Sequence, residues 1–276
     1  MNNIVLLATY WNEIEWINAS LEQIEKINPV EVIICDGCFD PNKKNYSTDG
    51  TSEIIKAFSH SRKNVKIIPA LRLNYLSHLF YWLKKLPNEN CLSSMVPRLK
   101  VAKSFKNMNL YRLNQMATFN YMISISKYFK SGNWFMTYDC DQFYDDAMIG
   151  DFNMVNEQNF GYDILTSKEI TFFSDFDHCT EDHEQRDYNN MPHKIFNDLR
   201  FIPTRHPARV INNRYEICST FGKKMYLGYV YHYHLKSKER LVDGYSLGNR
   251  QPPSIKGLIF KRLICEHPAI IKKHFL

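Results

Sequence analysis

Two acidic residues separated by a single position, Asp139 and Asp141, follow the apolar segment "WFMTY" at residues 134–138. If the chain turns there, the two carboxylates can converge on one hard divalent cation, and such a cation can bridge a diphosphate. Residues 142–144 return at once to apolar packing, which puts the acids at an edge of the core. The sequence therefore predicts a Mn²⁺ or Mg²⁺ site at Asp141 and Asp139, with a solvated loop as the alternative.

A third acid, Asp36, ends the apolar segment "VEVIICD" at residues 30–36. At that place a carboxylate can accept a hydrogen bond from a nucleobase or a ribose. Residues 47–51, "STDGT", come just ahead of a helical pattern. Within this segment, Thr48 to Thr51 can supply an N-cap and free backbone N–H groups that suit an anion. Ordinary helix capping is the alternative interpretation of this motif.

The elements that must position these residues alternate in type. "NIVLLATY", "VEVIICDG" and "NVKIIPA" are typical of strands. The segments between them carry apolar residues at helical spacing, which in the first segment are Ile14, Ile17, Leu21, Ile24 and Ile27. This order predicts an α/β fold with a mostly parallel central sheet flanked by helices. A helix at residues 109–129 and a strand before Asp139 extend the pattern. In such sheets ligands bind beyond the carboxyl ends of the strands, here Thr9, Asp36 and Pro69.

Three motifs, in this order within about residues 4 to 145, resemble those of the family 2 nucleotide-sugar glycosyltransferases, which have the GT-A fold. They are Ala8–Glu13 with Trp11 as an extra residue, Asp36-Gly37 with Ser47–Thr51 after the insertion Cys38–Tyr46, and Arg112–Asn120 leading to Asp139-Cys140-Asp141.

The resemblance implies a role for each matching residue. The insertion Cys38–Tyr46 either reshapes the nucleotide end of the pocket or forms a solvated flap. By this resemblance, Thr9, Glu13 and Arg112 would lie near the nucleotide. Asp36 would lie at the base or ribose, Asp139 at the ribose or sugar, and Asp141 on the metal.

An inverting transfer, which the family leads us to expect, needs a carboxylate that deprotonates the acceptor hydroxyl. Asp182 is the candidate base and Glu181 the second candidate, because "TED" at residues 180–182 is similar to the Glu-Asp pair that family members place at the acceptor side. A solvated polar loop is the alternative. If "GYVYHYH" forms a strand, His232 and His234 share one face. One of them then completes the metal shell, as a late histidine does in several GT-A enzymes, unless both are structural.

The 276-residue chain contains 44% hydrophobic residues and seven cysteines and has a formal charge of +6. These values indicate a folded protein in the reducing cytoplasm, and no run of about 18 apolar residues could cross a bilayer. We predict a glycosyltransferase domain at residues 1–254 and a basic amphipathic tail at residues 255–276. Such a tail can lie peripherally on the anionic inner face of a membrane, or pack on the domain.

The resemblance therefore implies a metal-dependent enzyme that moves a single sugar from a nucleoside-diphosphate-sugar donor to a glycan or lipid-linked glycan acceptor. The Arg-Trp pair of processive sugar polymerases is absent from the sequence. Two alternatives stay open. One is a sugar-1-phosphate nucleotidylyltransferase, although the Gly-rich basic loop of that class is missing after the first strand. The other is a non-catalytic carbohydrate- or nucleic-acid-binding module, although the dispersed basic residues argue against nucleic acid as a partner.

Overall fold

A computed structural model describes the chain at residues 2–78, 80, 110–157, 160–173, 175–180, 187–188, 190–197, 199–201, 207–211, 214–217, 222–234, 260–263 and 265–276. It is an α/β structure with one large mixed sheet, helices on both faces of that sheet, and a small three-stranded sheet. The helices are α1 (Ile17–Ile27), α2 (Thr51–His60), α3 (Leu110–Ile125), α4 (Asp146–Asp151) and α5 (Ala269–Phe275), with a 3-10 helix at Phe152–Asn156.

The strands are named in chain order. They are β1 (Asn2–Tyr10), β2 (Pro29–Asp36), β3 (Val65–Pro69), β4 (Trp134–Asp139), β5 (Gln142–Phe143), β6 (Ile164–Phe173), β7 (His178–Thr180), β8 (Asp187–Tyr188), β9 (His193–Lys194), β10 (Arg200–Phe201), β11 (Pro207–Ile211), β12 (Arg214–Ile217), β13 (Lys224–His234) and β14 (Phe260–Arg262). The large sheet has the order β14-β7-β6-β9-β4-β1-β2-β3, with β13 beside β5 and β6 and with β8 beside β6. The small sheet has the order β10-β11-β12.

One half of the large sheet, made of β3, β2, β1 and β4, is parallel throughout. Alternate residues of β1 face opposite cores, because successive side chains of a strand point to opposite faces. Leu6 packs in the core beneath α1 and α2, whereas Val5 packs with Met116 of α3 on the other face. Burial on both faces explains why β1 and β2 are almost continuously apolar.

The other half of the sheet is mixed, which corrects the prediction of a mostly parallel sheet. β9 runs antiparallel to both β4 and β6, and β7 runs antiparallel to β6, whereas β13 runs parallel to β6. β6 ends at Phe173 and β7 begins at His178, and so short a connection cannot make the crossover that parallel strands require. The pairing of β13 is irregular between Tyr226 and Tyr229, where Gly228 has a φ of 101°.

Helix α1 begins at Ile17, later than the apolar spacing predicts. The spacing counts Ile14 as part of the apolar face, but Ile14 is exposed. Asn12 has a left-handed φ of 54°, and the Ile14 N–H donates to Asp49 Oδ2 at 3.0 Å. A contact with a distant loop therefore replaces what would have been the first turn of the helix.

The described C-terminal residues pack on the rest of the protein. β14 pairs with β7, the Phe275 ring lies 4.5 Å from that of Trp16, and the Lys273 ammonium lies 2.7 Å from Glu22 Oε2. Lys272 pairs with Glu266 within the segment itself. The contact of this segment with a membrane stays a prediction. In the described part of the chain, no helix has the length and apolar character needed to cross a membrane.

Burial of His193 makes the fold sensitive to acid. Burial lowers the pKa of His193 to about 4, although the hydrogen bond of Nδ1 with Met191 O opposes this shift. The unfolded chain, in which the histidine pKa is about 6.5, therefore binds more protons between pH 6.5 and 4. We expect the free energy of unfolding to fall by about 3 kcal/mol over this interval from His193 alone.

Urea denaturation of the wild type and of His193→Gln at several pH values measures this contribution. The variant should lose less stability than the wild type as the pH falls from 6.5 to 4. Equal pH dependence in the two proteins would show that His193 contributes nothing to the acid sensitivity.

Candidate functional site

The carboxyl ends of β2, β1 and β4 bring polar side chains to one edge of the sheet. In the parallel register Tyr10 lies opposite Asp36, and Thr9 lies opposite Asp139. The Thr9 hydroxyl donates to Asp139 Oδ1 at 3.4 Å, and the Asn190 amide donates to Oδ2 at 3.2 Å. Asp36 and Asp139 therefore stand on the two sides of the end of β1.

Asp141 lies beside a histidine of β13. The pairing of β5 with β13 sets Gln142 opposite His232, and Asp141 Oδ1 lies 3.3 Å from His232 Nε2. The other ring nitrogen, Nδ1, lies 2.6 Å from Glu169 Oε1 on β6. Burial alone would lower the pKa of His232, but the carboxylates of Asp141 and Glu169 raise it well above its usual value. The ring is thus held between two acids.

The turn that carries Asp141 is fixed by a fully buried glutamine of α1. Gln23 Nε2 donates to Tyr138 Oη at 2.6 Å and to the Gln142 carbonyl at 3.0 Å, and Gln23 Oε1 accepts from the Tyr144 N–H at 2.7 Å. These bonds tie the strand before the turn to the strand after it. The Asp-x-Asp segment is therefore held by a helix side chain.

Asp36 is oriented by two serines that follow the insertion. Ser47 Oγ donates to Asp36 Oδ1 at 2.7 Å, and Ser52 Oγ donates to Oδ2 at 2.5 Å. The two halves of the divided motif are thus joined in space. Asp36 is partly exposed, and its Oδ1 also accepts from the Ser47 N–H at 3.4 Å, so Oδ2 is the oxygen with capacity for a second donor. A base or ribose group could therefore still bind there.

The "STDGT" segment uses its polar groups on the chain itself. The Thr48 N–H donates to Asn12 Oδ1 at 2.9 Å, the Thr51 N–H donates to Asp49 Oδ1 at 3.1 Å, and Thr51 Oγ1 accepts from the Glu13 N–H at 2.8 Å. The N-cap of α2 is Gly50, which has a φ of 99° and no side-chain cap bond. This corrects the expectation of free N–H groups at Thr48 and Thr51, since both already have acceptors.

The insertion Cys38–Tyr46 is an anchored loop. Arg72 Nε donates to the Cys38 carbonyl at 2.9 Å, and Arg72 Nη1 donates to the Lys43 carbonyl at 2.6 Å. The Lys43 ammonium lies 5.5 Å from the ring centroid of Trp11. The extra aromatic residue after β1 and the inserted segment therefore contact each other beside the end of β2.

Several predicted roles depend on groups that the structure leaves apart or outside its described residues. Glu13 is buried in the turn after β1, and Arg112 Nη1 donates to Gln115 Oε1 at 3.0 Å within α3. Their contact with a nucleotide stays a prediction. Asp182 and Glu181, the candidate bases, lie outside the described residues, as does the side chain of His234.

Asp141 and His232 are the pair that best fits a divalent cation. A carboxylate oxygen and an imidazole nitrogen are both common ligands of first-row divalent metals. Within the residues that the structure describes, no group of three or more His, Cys, Asp or Glu side chains could hold a metal ion. Mg²⁺ is commonly bound through only one or two carboxylates, with phosphate and water as the other ligands. An ion held by Asp141 and His232 would therefore complete its shell with water, or with oxygen atoms of a diphosphate when one is bound.

A cavity of about 530 Å³ lies away from this edge, near the amino end of β4. Ile195 lines it together with Lys130 and Arg200, and the Ile195 N–H donates to the Asn133 carbonyl just before β4. Asp139 is at the opposite end of the same strand. The cavity is therefore separate from the candidate site.

Three supporting residues, Gln23, Glu169 and Asn190, are missing from the site predicted by the sequence. The sequence does contain a pattern that could have identified Gln23. It shares a helix face with Ser20 and Ile27, so its polar amide lies on the buried face of α1. No such pattern identifies Glu169 and Asn190, since their partners come from distant elements.

Comparison of the sequence with models of protein families and with curated proteins finds no match.

Gly37 has no room for a side chain. A Cβ at this position would lie 2.6 Å from the Asn45 carbonyl oxygen and 2.8 Å from the Ala70 nitrogen. We expect Gly37→Ala to lower the free energy of unfolding, measured in urea, by about 1–3 kcal/mol, because the backbone must shift. Gly150→Ala is the matched control, since it lies in α4 with nothing within 4 Å. An equal loss in both variants would contradict the steric explanation.

Loss of the hydrogen bonds of Gln23 should lower the free energy of unfolding. Gln23→Leu would leave the Tyr144 N–H and the Gln142 carbonyl without this buried partner, so we expect a loss of at least about 1–3 kcal/mol in the free energy of unfolding. Asn18→Leu makes a similar change at an exposed position of α1 and should stay within about 0.5 kcal/mol of wild type. If both variants are as stable as wild type, Gln23 does not hold the turn.

Proposed function

We propose that this protein is a metal-dependent glycosyltransferase of the GT-A type, which transfers a single sugar from a nucleoside-diphosphate-sugar donor. The proposal rests above all on the pair Asp141 and His232, whose facing atoms are 3.3 Å apart. The pair lies just beyond the carboxyl end of a parallel strand, where α/β sheets bind their ligands. Thr9, Asp36 and Asp139 come to the same edge.

The charges at this edge support a cation between the protein and a diphosphate. Two carboxylates, those of Asp141 and Glu169, contact the His232 imidazole, and a third, that of Asp139, ends the strand just before Asp141. Such a cluster would repel a diphosphate through its own negative charge. Bound Mn²⁺ or Mg²⁺ would remove that repulsion and stabilise the charge that develops on the departing diphosphate. Asp141 and His232 would hold the ion.

The remaining residues would orient the donor. Asp36, fixed by Ser47 and Ser52, would accept a hydrogen bond from the base or ribose. Asp139, fixed by Thr9 and Asn190, would accept one from a ribose or sugar hydroxyl. Both carboxylates are oriented before a ligand arrives, which reduces the entropy lost on binding.

The acceptor step follows from the resemblance. Asp182, with Glu181 as the second candidate, would remove the proton from an acceptor hydroxyl as that oxygen attacks the anomeric carbon. The bond to the diphosphate would break on the opposite face, with inversion. The acceptor would be a glycan or a lipid-linked glycan.

Ligand-dependent stability tests this function directly. UDP, GDP, CDP and dTDP and their common sugar conjugates are added with and without Mn²⁺, and thermal unfolding of the wild type and of Asp141→Asn is recorded. A nucleotide at 100 times its dissociation constant should stabilise the wild type by about 2.7 kcal/mol. We expect this gain for one nucleotide, only with Mn²⁺, and not in Asp141→Asn.

Asp146→Asn serves as the control, because Asp146 is an exposed carboxylate of α4 that pairs with Lys26. It should respond to nucleotide as the wild type does. If no nucleotide stabilises the wild type at millimolar concentration, the transferase proposal fails. Tight, metal-independent binding of polyanions would instead favour the non-catalytic binding module.

A further inference from the structure

Glu169 lies behind the histidine of the candidate metal pair. β6 and β13 are parallel, with Glu169 opposite Val230 and Thr171 opposite His232. Because side chains two residues apart share a face of a strand, Glu169, Thr171 and His232 lie on the same face of the sheet. Glu169 Oε1 lies 2.6 Å from His232 Nδ1, and the Thr171 hydroxyl donates to the same oxygen at 2.8 Å.

This contact selects the ring nitrogen that faces Asp141. When Nδ1 carries a proton and donates it to Glu169, Nε2 is the nitrogen that remains for a metal. Asp141 Oδ1 lies on the Nε2 side of the ring. The ring is thus held at both ends, and a rotation that turned Nε2 away from Asp141 would break the bond to Glu169.

The position of Glu169 distinguishes it from a direct ligand. It contacts the ring nitrogen that points away from Asp141, so a metal between Asp141 and Nε2 would lie on the far side of the imidazole. Metal-binding histidines usually donate their second N–H to a carboxylate, carbonyl or water, and loss of that partner commonly weakens metal binding by about 10–100-fold.

We propose that Glu169 is a positioning residue, which holds the His232 ring so that Nε2 faces the metal bound at Asp141. This inference rests on the proposed function, because it requires a metal at that pair. Glu169 needs no contact with the donor or the acceptor for this role. Thr171 in turn orients Glu169 through its hydroxyl.

Mn²⁺ binding measured by electron paramagnetic resonance tests the inference without any transfer reaction, since only free Mn²⁺ gives the strong solution signal. Titrations at one fixed pH compare the wild type, Glu169→Ala, His232→Ala and the double variant. We expect Glu169→Ala to weaken Mn²⁺ binding by about 10–100-fold. In the His232→Ala background the same substitution should cause no further loss, because Glu169 acts through the ring.

Two further variants keep the result interpretable. Glu169→Gln keeps the size of the side chain and an acceptor oxygen, so it should recover most of the affinity and guards against a misfolded alanine variant. Glu157→Ala removes an exposed carboxylate beyond the 3-10 helix and should bind Mn²⁺ as the wild type does. Circular dichroism checks that each variant is folded.

Each contrary outcome has a distinct meaning. If Glu169→Ala binds Mn²⁺ as the wild type does, Glu169 does not position His232, while the proposed metal site stands. An additional tenfold loss in the His232→Ala background would make Glu169 a direct ligand and would overturn the positioning role. If the wild type binds no Mn²⁺, the metal site of the proposed function fails, and the role of Glu169 fails with it.

Discussion

β1 forms parallel hydrogen-bonded ladders with β2 on one side and with β4 on the other. Parallel strands point in the same direction, so the register between them determines which residues lie side by side where the strands end. Asp36 is placed beside Tyr10 in this way, and Asp139 beside Thr9. The contacts of Asn190 with Asp139, and of His232 with Asp141, are built onto this edge.

The loops at this edge are held by polar side chains from helices. Asn114 of α3 donates to the Phe39 carbonyl and accepts from the Leu73 N–H, and its Oδ1 also lies 2.9 Å from His78 Nε2. Gln23 of α1 does the same for the turn at Asp141. Buried amides of this kind satisfy backbone groups that a loop cannot pair by itself. The helices therefore determine the shape of the edge as well as covering the sheet.

The sequence predicts best what depends on local patterns. β1, β2, β3 and the two intervening helices follow from apolar spacing, and the acids at the strand ends follow from those strands. The start of α1 is predicted wrongly, because Asp49 binds the backbone of Ile14 and this tertiary contact overrides helical spacing. Glu169 and His232 are 63 residues apart, so their contact depends on a strand pairing that no local pattern records. The two-residue strand β9, one of the antiparallel strands that make the sheet mixed, is too short to show a period.

The irregular pairing of β13 divides that strand into two separately registered parts. Lys224–Tyr226 pairs with β6 before the irregularity, and Tyr229–His234 pairs after it, with Gly228 in the left-handed region between them. In a strand, a shift of one residue turns every side chain to the opposite face. The irregularity at Gly228 separates the register of the two parts. A change in chain length before Gly228 can therefore be accommodated at the irregularity without turning His232 away from Asp141. The entrance to β13 can thus tolerate a change in length, while the face that carries His232 is fixed by its own pairing with β6.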